Sequence, residues 1–222
     1  MRIALVNQYT KNYKTLADLT IENRIEYAKR HNYNYHVKEE GDNYSFDFGF
    51  LRFPYILNLF REHNYDYIHF SGIDSLIMNF NIKIEDWIDG IHDFFIAKET
   101  SGGYRAINGD AFIVKNSTRG IELLEFILSK REEYRNIGWQ EQQVMIDFFE
   151  KPPYNDYVKI MPMQSFNSYP WKYYGPQQCG KSDVHKDEPG DFKLGDFLLH
   201  APGHTLNNRI RIWNEFLPKV IK

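Results

Sequence analysis

The chain has little cysteine, no long hydrophobic run and no excess of charge of one sign. Its single cysteine is Cys179, which excludes an internal disulfide and a thiolate metal cluster and favours a reducing compartment. The apolar run near the start, IALV, is too short for a signal-peptide core or a membrane span. We therefore expect a soluble protein of the cytoplasm.

The charges are nearly balanced, with 27 lysines and arginines against 30 aspartates and glutamates. The formal net charge of −3 provides no positive field for phosphate backbones, and the basic residues are scattered along the chain. Nucleic acid is therefore not an expected partner.

Aromatic residues are abundant, with 16 tyrosines and 17 phenylalanines among 222 residues. Tyrosine and tryptophan combine an apolar face with a polar tip, which suits the binding of sugar rings in a cleft. A general compositional bias explains the same abundance. Both interpretations stay open at the level of composition.

Short apolar segments alternate with segments of helical periodicity along most of the chain. The pattern predicts strands at residues 2–7, 32–39, 65–70, 93–98, 110–116, 157–162 and 196–200, and helices at 15–31, 50–63, 84–90, 117–134, 139–150 and from about 207. This alternation predicts an α/β fold with a central, mainly parallel sheet and helices on both faces. At this length, residues 1–222 are expected to form one domain.

Polar residues follow several of the predicted strands, and ligands bind beyond the carboxyl ends of strands in such sheets. The residues expected at this rim are 7–9, 72–74 and 200–204. Asp74 and an imidazole of His200 or His204 are suitable ligands for a divalent metal. A turn-capping aspartate and hydrogen-bonded histidines are the alternative interpretation.

Six segments, in the same order, resemble the motifs of one enzyme family. They are NRIEYAKRHNYNY, FLRFPYILNLFREHNYDYIHFSGIDSLIMN, INGDAFIVKNS, WQEQQVMIDFF, FNSYP and GDFLLHAPGH. The family is that of the retaining α-glycosyltransferases that include the mannan galactosyl- and mannosyltransferases and the xyloglucan xylosyltransferases. The resemblance implies the GT-A fold, a Rossmann-like fold that binds nucleotide sugars.

The resemblance also implies a function. It predicts transfer of a sugar from a nucleotide sugar, expected to be UDP-linked, to a hydroxyl of a glycan or glycoprotein, with retention of configuration. The expected cofactor is Mn²⁺, with Mg²⁺ as the alternative, because a divalent cation stabilises the negative charge of a leaving diphosphate. Asp74 and His200 match the metal-binding positions of the family.

Among the positions that depart from the family motifs, two involve an acidic residue. Gly72 stands where the family has the first of two aspartates, and Asp110 stands where the family has glycine. The loss at position 72 is expected to weaken donor or metal binding. A protein that binds nucleotide or carbohydrate without catalysis is therefore the alternative function, and a metal hydrolase is a third.

The remaining site residues follow from the resemblance and from the strand ends. Gln142, Glu141 and Asp110 are expected at the reaction centre, where they would contact the transferred sugar or substrate hydroxyl groups. The residues expected to contact the nucleotide are Asn7, Tyr9, Arg52, Gly72, Ile73 and His204. For Arg52 the alternatives are a contact with the diphosphate and orientation of an aspartate. The polar loop 175–191 is a candidate lid.

Overall fold

The computed structural model describes residues 1–41, 48–99, 106–173 and 190–222. The strands are β1 (Ile3–Thr10), β2 (Asn34–Glu40), β3 (Tyr67–Ser71), β4 (Ser75–Ile77), β5 (Phe94–Glu99), β6 (Ala106–Lys115), β7 (Val158–Met161) and β8 (Leu198–His200). The helices are α1 (Lys14–His31), α2 (Arg52–Glu62), α3 (Thr118–Ser129), α4 (Arg131–Tyr134), α5 (Gln140–Phe148) and α6 (Leu206–Phe216). Nearly all of the predicted lid loop, with Cys179, lies outside the described residues.

The main sheet has six strands in the order β2-β1-β3-β6-β5-β7. All the pairings that do not involve β6 are parallel, and β6 runs antiparallel to both of its neighbours, β3 and β5. The predicted mainly parallel α/β sheet is therefore confirmed. The reversal of β6 places its first half at the edge where β1 and β3 end.

Both faces of the main sheet are buried. In β1, Ala4 and Val6 join a core with residues of α2, α3 and α5, whereas Ile3 and Leu5 face a second core on the other side. That second face is covered by α1 and by a two-stranded ribbon of β4 and β8, and α6 packs beyond the ribbon. Burial on both faces explains why β1 begins with a continuous apolar run, IALV, rather than with an alternating pattern.

Two predicted helices differ from the structure, and one strand of the structure was not predicted. The predicted helix 117–134 is divided at Lys130, whose N–H donates to the carbonyl of Ile127 at 3.1 Å and tightens the last turn of α3. The short strand β4 was not predicted, because three residues show no periodicity and the strand depends on antiparallel pairing with the distant β8. The predicted helix 84–90 is only a 3₁₀ turn, Ile84–Trp87.

Polar side chains of α1 hold the segment that follows β3. The Asn23 amide donates to the carbonyl of Ile77 at 2.9 Å and accepts from the N–H of Ile77 at 3.0 Å. Two further residues of α1 continue this attachment: Thr20 donates to the carbonyl of Ile73, and Arg24 donates to Ser75. Side chains of α1 therefore hold the backbone on both sides of position 74.

Replacing Asn23 with alanine leaves both backbone groups of Ile77 buried without their partner. We expect Asn23→Ala to lower the free energy of unfolding by about 1–3 kcal/mol. The control is Glu22→Ala. Glu22 precedes Asn23 on the same helix but is exposed, so its substitution should change the free energy of unfolding by less than about 0.5 kcal/mol. Urea unfolding followed by circular dichroism measures both; equal stabilities of the two variants would contradict this role of Asn23.

Candidate active site

A cleft of about 830 Å³ lies at the edge where β1 and β3 end and β6 begins. Of the predicted site residues, those that line it are Tyr9, Arg52, Gly72, Ile73, Asp74, Asp110, Glu141, Gln142 and His200. Asn7 and His204 were also expected at the site but are buried outside this lining. The strand-end rule thus locates the cleft but not every side chain that faces it.

Three side chains in the cleft form a candidate metal site. Asp74, Asp110 and His200 each offer one ligand atom, and these atoms lie within 4.8 Å of one another. The Nε2 atom of His200 is 3.5 Å from a carboxylate oxygen of Asp74 and 3.5 Å from one of Asp110. Asp74 and His200 were predicted as ligands, whereas Asp110 was predicted at the reaction centre without a metal role.

The position of Asp110 explains why glycine occupies position 72, where the family has an aspartate. The N–H of Gly72 donates to the carbonyl of Asp110 at 2.8 Å, which continues the antiparallel register in which Ser71 faces Ala111. A Cβ atom added at Gly72 would overlap with the Asp110 carboxylate and lie 2.7 Å from Asp74 Oδ1. Asp110 therefore places its carboxylate, from the neighbouring strand, in the space that a side chain at position 72 would fill.

His200 is oriented by a residue that sequence reasoning missed. Its Nδ1–H donates to Oδ1 of Asn167 at 2.7 Å, and the Asn167 amide in turn donates to the carbonyl of Lys98. This arrangement leaves Nε2 facing the two carboxylates, as is usual for metal-ligating histidines. Burial lowers the pKa of His200, but Asp110 and Asp74 outweigh burial and raise it to about 9.

Arg209 on α6 is a second residue that the sequence did not reveal. Its guanidinium lies 2.6 Å from Asp74 Oδ2, and its Nε donates to the carbonyl of Ala201. Burial alone would raise the pKa of Asp74, but Arg209 and His200 hold it well below its usual range. Asp74 is therefore ionised and fixed in direction, with one oxygen toward Arg209 and the other toward His200.

Arg52 lies between two acidic groups of the cleft, Asp110 and Glu141. It donates to the carbonyl of Gly109 at 2.8 Å and to Asp110 at 3.0 Å, and its other nitrogen is 3.2 Å from Glu141. Burial raises the pKa of Glu141, although the charge of Arg52 opposes this effect. These contacts favour the interpretation that Arg52 orients an aspartate.

Gln142 lies beside the candidate metal ligands. Its side-chain oxygen accepts the N–H of Gly109 at 3.0 Å, which attaches the first turn of α5 to β6. A Cβ at Gly109 would lie 2.9 Å from the Cβ of Gln142, so this close approach requires glycine. Gln142 also lines the cleft.

The other end of the cleft is formed by the end of β1. Tyr9 lines it and donates its hydroxyl to Glu39 at 2.8 Å. Asn7 instead donates to the carbonyl of Ser71 beneath the cleft. Gln8 lines the cleft, is only 3% exposed, and neither atom of its amide has a hydrogen-bond partner among the described residues. A buried, unpartnered amide at a cleft surface is a strong candidate for a ligand contact.

Comparisons with known proteins agree with this geometry. The model of the galactosyl transferase GMA12/MNN10 family matches residues 3–93. A search of curated protein sequences finds no significant match. Among solved structures, a glycosyltransferase involved in the glycosylation of the major capsid of PBCV-1 superposes with a TM-score of 0.74 at 18% identity, covering 97% of this chain and 100% of the other.

Two further solved structures have the same fold at lower similarity. The galactosyltransferase LgtC, in complex with donor and acceptor sugar analogues, gives a TM-score of 0.58 at 12% identity and covers 96% of each chain. A Drosophila galactosyltransferase 7 variant, in complex with manganese, UDP-Gal and xylobiose, gives 0.52 at 15% identity, with 94% of this chain and 73% of the other covered.

The fold is that of the GT-A glycosyltransferases. The family match over residues 3–93 confirms the resemblance to the galactosyl transferase GMA12/MNN10 family that the motifs indicate. In the part of the chain that the structure describes, no helix has both the length and the apolar character needed to cross a bilayer.

The overlap between positions 72 and 110 predicts a coupled pair. We expect Gly72→Ala to lower the free energy of unfolding by about 1–3 kcal/mol, because the added methyl group must displace the Asp110 carboxylate. In an Asp110→Ala background the same change should cost at least about 0.5 kcal/mol less. The backbone of Gly72 is not left-handed, so the conflict is one of space alone.

Urea unfolding of the two single variants and the double variant measures this coupling. Gly138→Ala is the control, because a Cβ at that glycine meets no atom within 4 Å. Additive effects of the Gly72 and Asp110 substitutions would show that the two side-chain positions do not share one space.

Proposed function

We propose that the protein is a retaining, Mn²⁺-dependent glycosyltransferase that moves a sugar from a UDP-sugar to a hydroxyl of a glycan or glycoprotein. The observation that carries the proposal is the convergence of Asp74, Asp110 and His200 in a cleft of the GT-A fold. A cytoplasmic location, in a bacterium or in the host of a virus, is part of the same proposal and agrees with the single cysteine.

The three residues fit a divalent cation. Two carboxylates supply oxygen ligands and His200 supplies nitrogen, a set that suits Mn²⁺ better than Mg²⁺. The hydrogen bond from His200 to Asn167 fixes the imidazole with Nε2 toward the site. When bound, the cation would supply positive charge to the diphosphate of the donor, which becomes more negative as the sugar leaves.

The arginines of the site support charge stabilisation by the protein itself. Arg209 lines the cleft beside Asp74, and its guanidinium can meet diphosphate oxygens while it holds that carboxylate. Arg52 fixes Asp110 and Glu141 in place. A preorganised arrangement of this kind stabilises developing charge without reorganisation during the reaction.

The carboxylates that line the cleft support retention rather than inversion. Asp74 and Asp110 belong to the candidate metal site, Glu141 is paired with Arg52, and Glu99 accepts hydrogen bonds from Asn108 and Tyr169. An inverting enzyme requires a general base at the acceptor hydroxyl, and each of these carboxylates is already engaged. We therefore infer that a diphosphate oxygen of the donor takes the acceptor proton, with Gln142 beside the transferred sugar.

At the end of β1, we propose that Gln8 binds the nucleotide base. Its amide offers one donor and one acceptor, which is the pairing that the imide edge of uracil requires. Tyr9 lines the cleft beside it and supplies an aromatic surface. Asn7 would act indirectly, because its amide holds the carbonyl of Ser71 immediately before Gly72.

Metal-dependent binding of UDP is the central test of the proposed function. With UDP at about a hundred times its dissociation constant, ligand linkage adds about 2.7 kcal/mol to the stability. For a domain of this size that corresponds to a rise in melting temperature of roughly 5–10 °C. We expect this rise with Mn²⁺ and UDP together, and a much smaller one with UDP alone.

The variants Asp74→Asn and Asp110→Asn should lose most of the metal-dependent rise, since each removes one negatively charged ligand. Asp156→Asn, which changes an exposed carboxylate outside the cleft, should keep it. Differential scanning fluorimetry measures all three, and a screen of UDP-sugars with glycan acceptors then measures transfer. Metal-dependent UDP binding without any transfer or donor hydrolysis would instead favour a non-catalytic binding protein.

Gln8 allows a second test with opposite effects on stability and binding. In Gln8→Leu a buried amide without a partner is replaced by an apolar group, so we expect unchanged or higher stability of the free protein. The affinity for UDP should fall about tenfold, because a hydrogen-bonding pair at the base is lost. Isothermal titration calorimetry with Mn²⁺ and UDP measures the affinity; unchanged affinity would exclude Gln8 from the base site.

A further inference from the structure

The loop between α4 and α5 presents a large aromatic side chain at the mouth of the cleft. Residues 135–139 are all exposed, and they line the cleft together with the first residues of α5. Trp139 is 52% exposed. Exposure of so large an apolar ring has no stabilising effect on the free protein, so this side chain points to a ligand surface.

The backbone at this position is held in an unfavourable conformation. Trp139 has φ 70° and Gln140 has φ 44°, both in the left-handed region that residues other than glycine rarely adopt. The carbonyl of Trp139 accepts the N–H of Gln142 at 2.8 Å and that of Gln143 at 3.3 Å. The same turn therefore presents the tryptophan and begins the helix that carries Gln142.

The order of the strands gives the cleft a direction. Gln8 and Tyr9 belong to β1. Of the candidate metal ligands, Asp74 lies just after β3 and Asp110 lies in β6. In the sheet, β3 lies between β1 and β6. The hydrogen bond from Gly109 to Gln142 fixes the start of α5 on the β6 side. Trp139 therefore belongs to the β6 end of the cleft, whereas Gln8 and Tyr9 belong to its β1 end.

We propose that Trp139 is the stacking platform for the acceptor sugar, an inference that rests on the proposed function. A pyranose ring has an apolar face of C–H groups, and an exposed indole ring offers a flat apolar surface of suitable size. The exposed side chains of Arg135 and Asn136 supply hydrogen-bond donors for hydroxyl groups at the edge of such a ring. The acceptor class is therefore a carbohydrate rather than an aliphatic or peptide hydroxyl.

Aromatic side chains also line another part of the cleft. The ring of Tyr169 is 5.6 Å from that of His200, and the ring of Trp171 is 5.1 Å from that of Tyr169. Both rings line the cleft. These contacts lead outward from the candidate metal site, so an acceptor longer than one sugar has further aromatic surface available.

The proposal is tested by ¹⁹F NMR on protein labelled with 5-fluorotryptophan, in the presence of Mn²⁺ and UDP. The probes are methyl glycosides of glucose, galactose, mannose and xylose and their short oligosaccharides. The Trp139 resonance is assigned with Trp139→Phe. We expect at least one glycoside to shift this resonance while that of the fully buried Trp213 stays in place. Absence of a shift with every glycoside would overturn the proposal.

Variants at the platform test the role of the ring. Affinity for the shifting glycoside, measured by saturation-transfer NMR, should fall about tenfold in Trp139→Ala and much less in Trp139→Phe, because only the latter keeps an aromatic face. Both variants keep a residue with Cβ at φ 70°, so their backbone strain is matched. Ile91→Ala, which shortens an exposed apolar side chain outside the cleft, is the control.

Two outcomes separate the platform from the proposed function. If wild-type protein shows no metal-dependent stabilisation by UDP, the proposed function fails whatever the glycosides do. If that stabilisation is present but Trp139→Ala binds the glycosides as tightly as wild type, the platform alone is wrong. A Trp139 resonance that shifts with protein concentration but not with glycosides would identify a contact between copies of the chain and would likewise overturn the platform.

Discussion

The candidate site depends on the antiparallel pairing of β3 with β6. One backbone hydrogen bond, from the Gly72 N–H to the Asp110 carbonyl, sets two positions side by side across the strands. Facing residues in such a pair project to the same side of the sheet at short distance, so a carboxylate can be supplied from either strand. Here the glycine immediately after β3 leaves the space, and the aspartate on β6 fills it. The site therefore has two carboxylates although the sequence around Asp74 contains one.

Around this pair, the structure balances charges among side chains that are buried or partly buried. Asp74 and Asp110 approach His200 from two sides, while Arg209 and Arg52 hold the outer oxygens of the two carboxylates. Removing any one charge would leave its partners buried without compensation, which is costly. The arrangement is thus rigid before a ligand binds, and rigidity of this kind is what stabilisation of a leaving diphosphate requires.

The sequence predicted the fold class because apolar runs and helical periodicity are local signals, and the strand-end rule located Asp74 and His200. It did not predict that β6 runs antiparallel, since pairing between distant strands has no local signature. For that reason Asp110 was assigned to the reaction centre and Gly72 was treated as a loss. Asn167 lies inside a recognised motif, but only the bridge between Ser168 and Leu199 shows that it reaches His200. Gln8 lies in the strand-end segment 7–9, but the sequence does not show which side chain of that segment faces the cleft. Arg209 had no signal beyond its residue type.

The central claim is that Asp74, Asp110 and His200 together hold the metal that binds the donor diphosphate. Anomalous diffraction at the manganese edge, from crystals grown with Mn²⁺ and UDP, tests it most directly. The account predicts a single strong peak in the cleft, within coordination distance of Asp110 as well as of Asp74 and His200, and in contact with the diphosphate. A manganese peak that lies away from Asp110, or UDP bound in the cleft with no manganese beside it, would contradict the account.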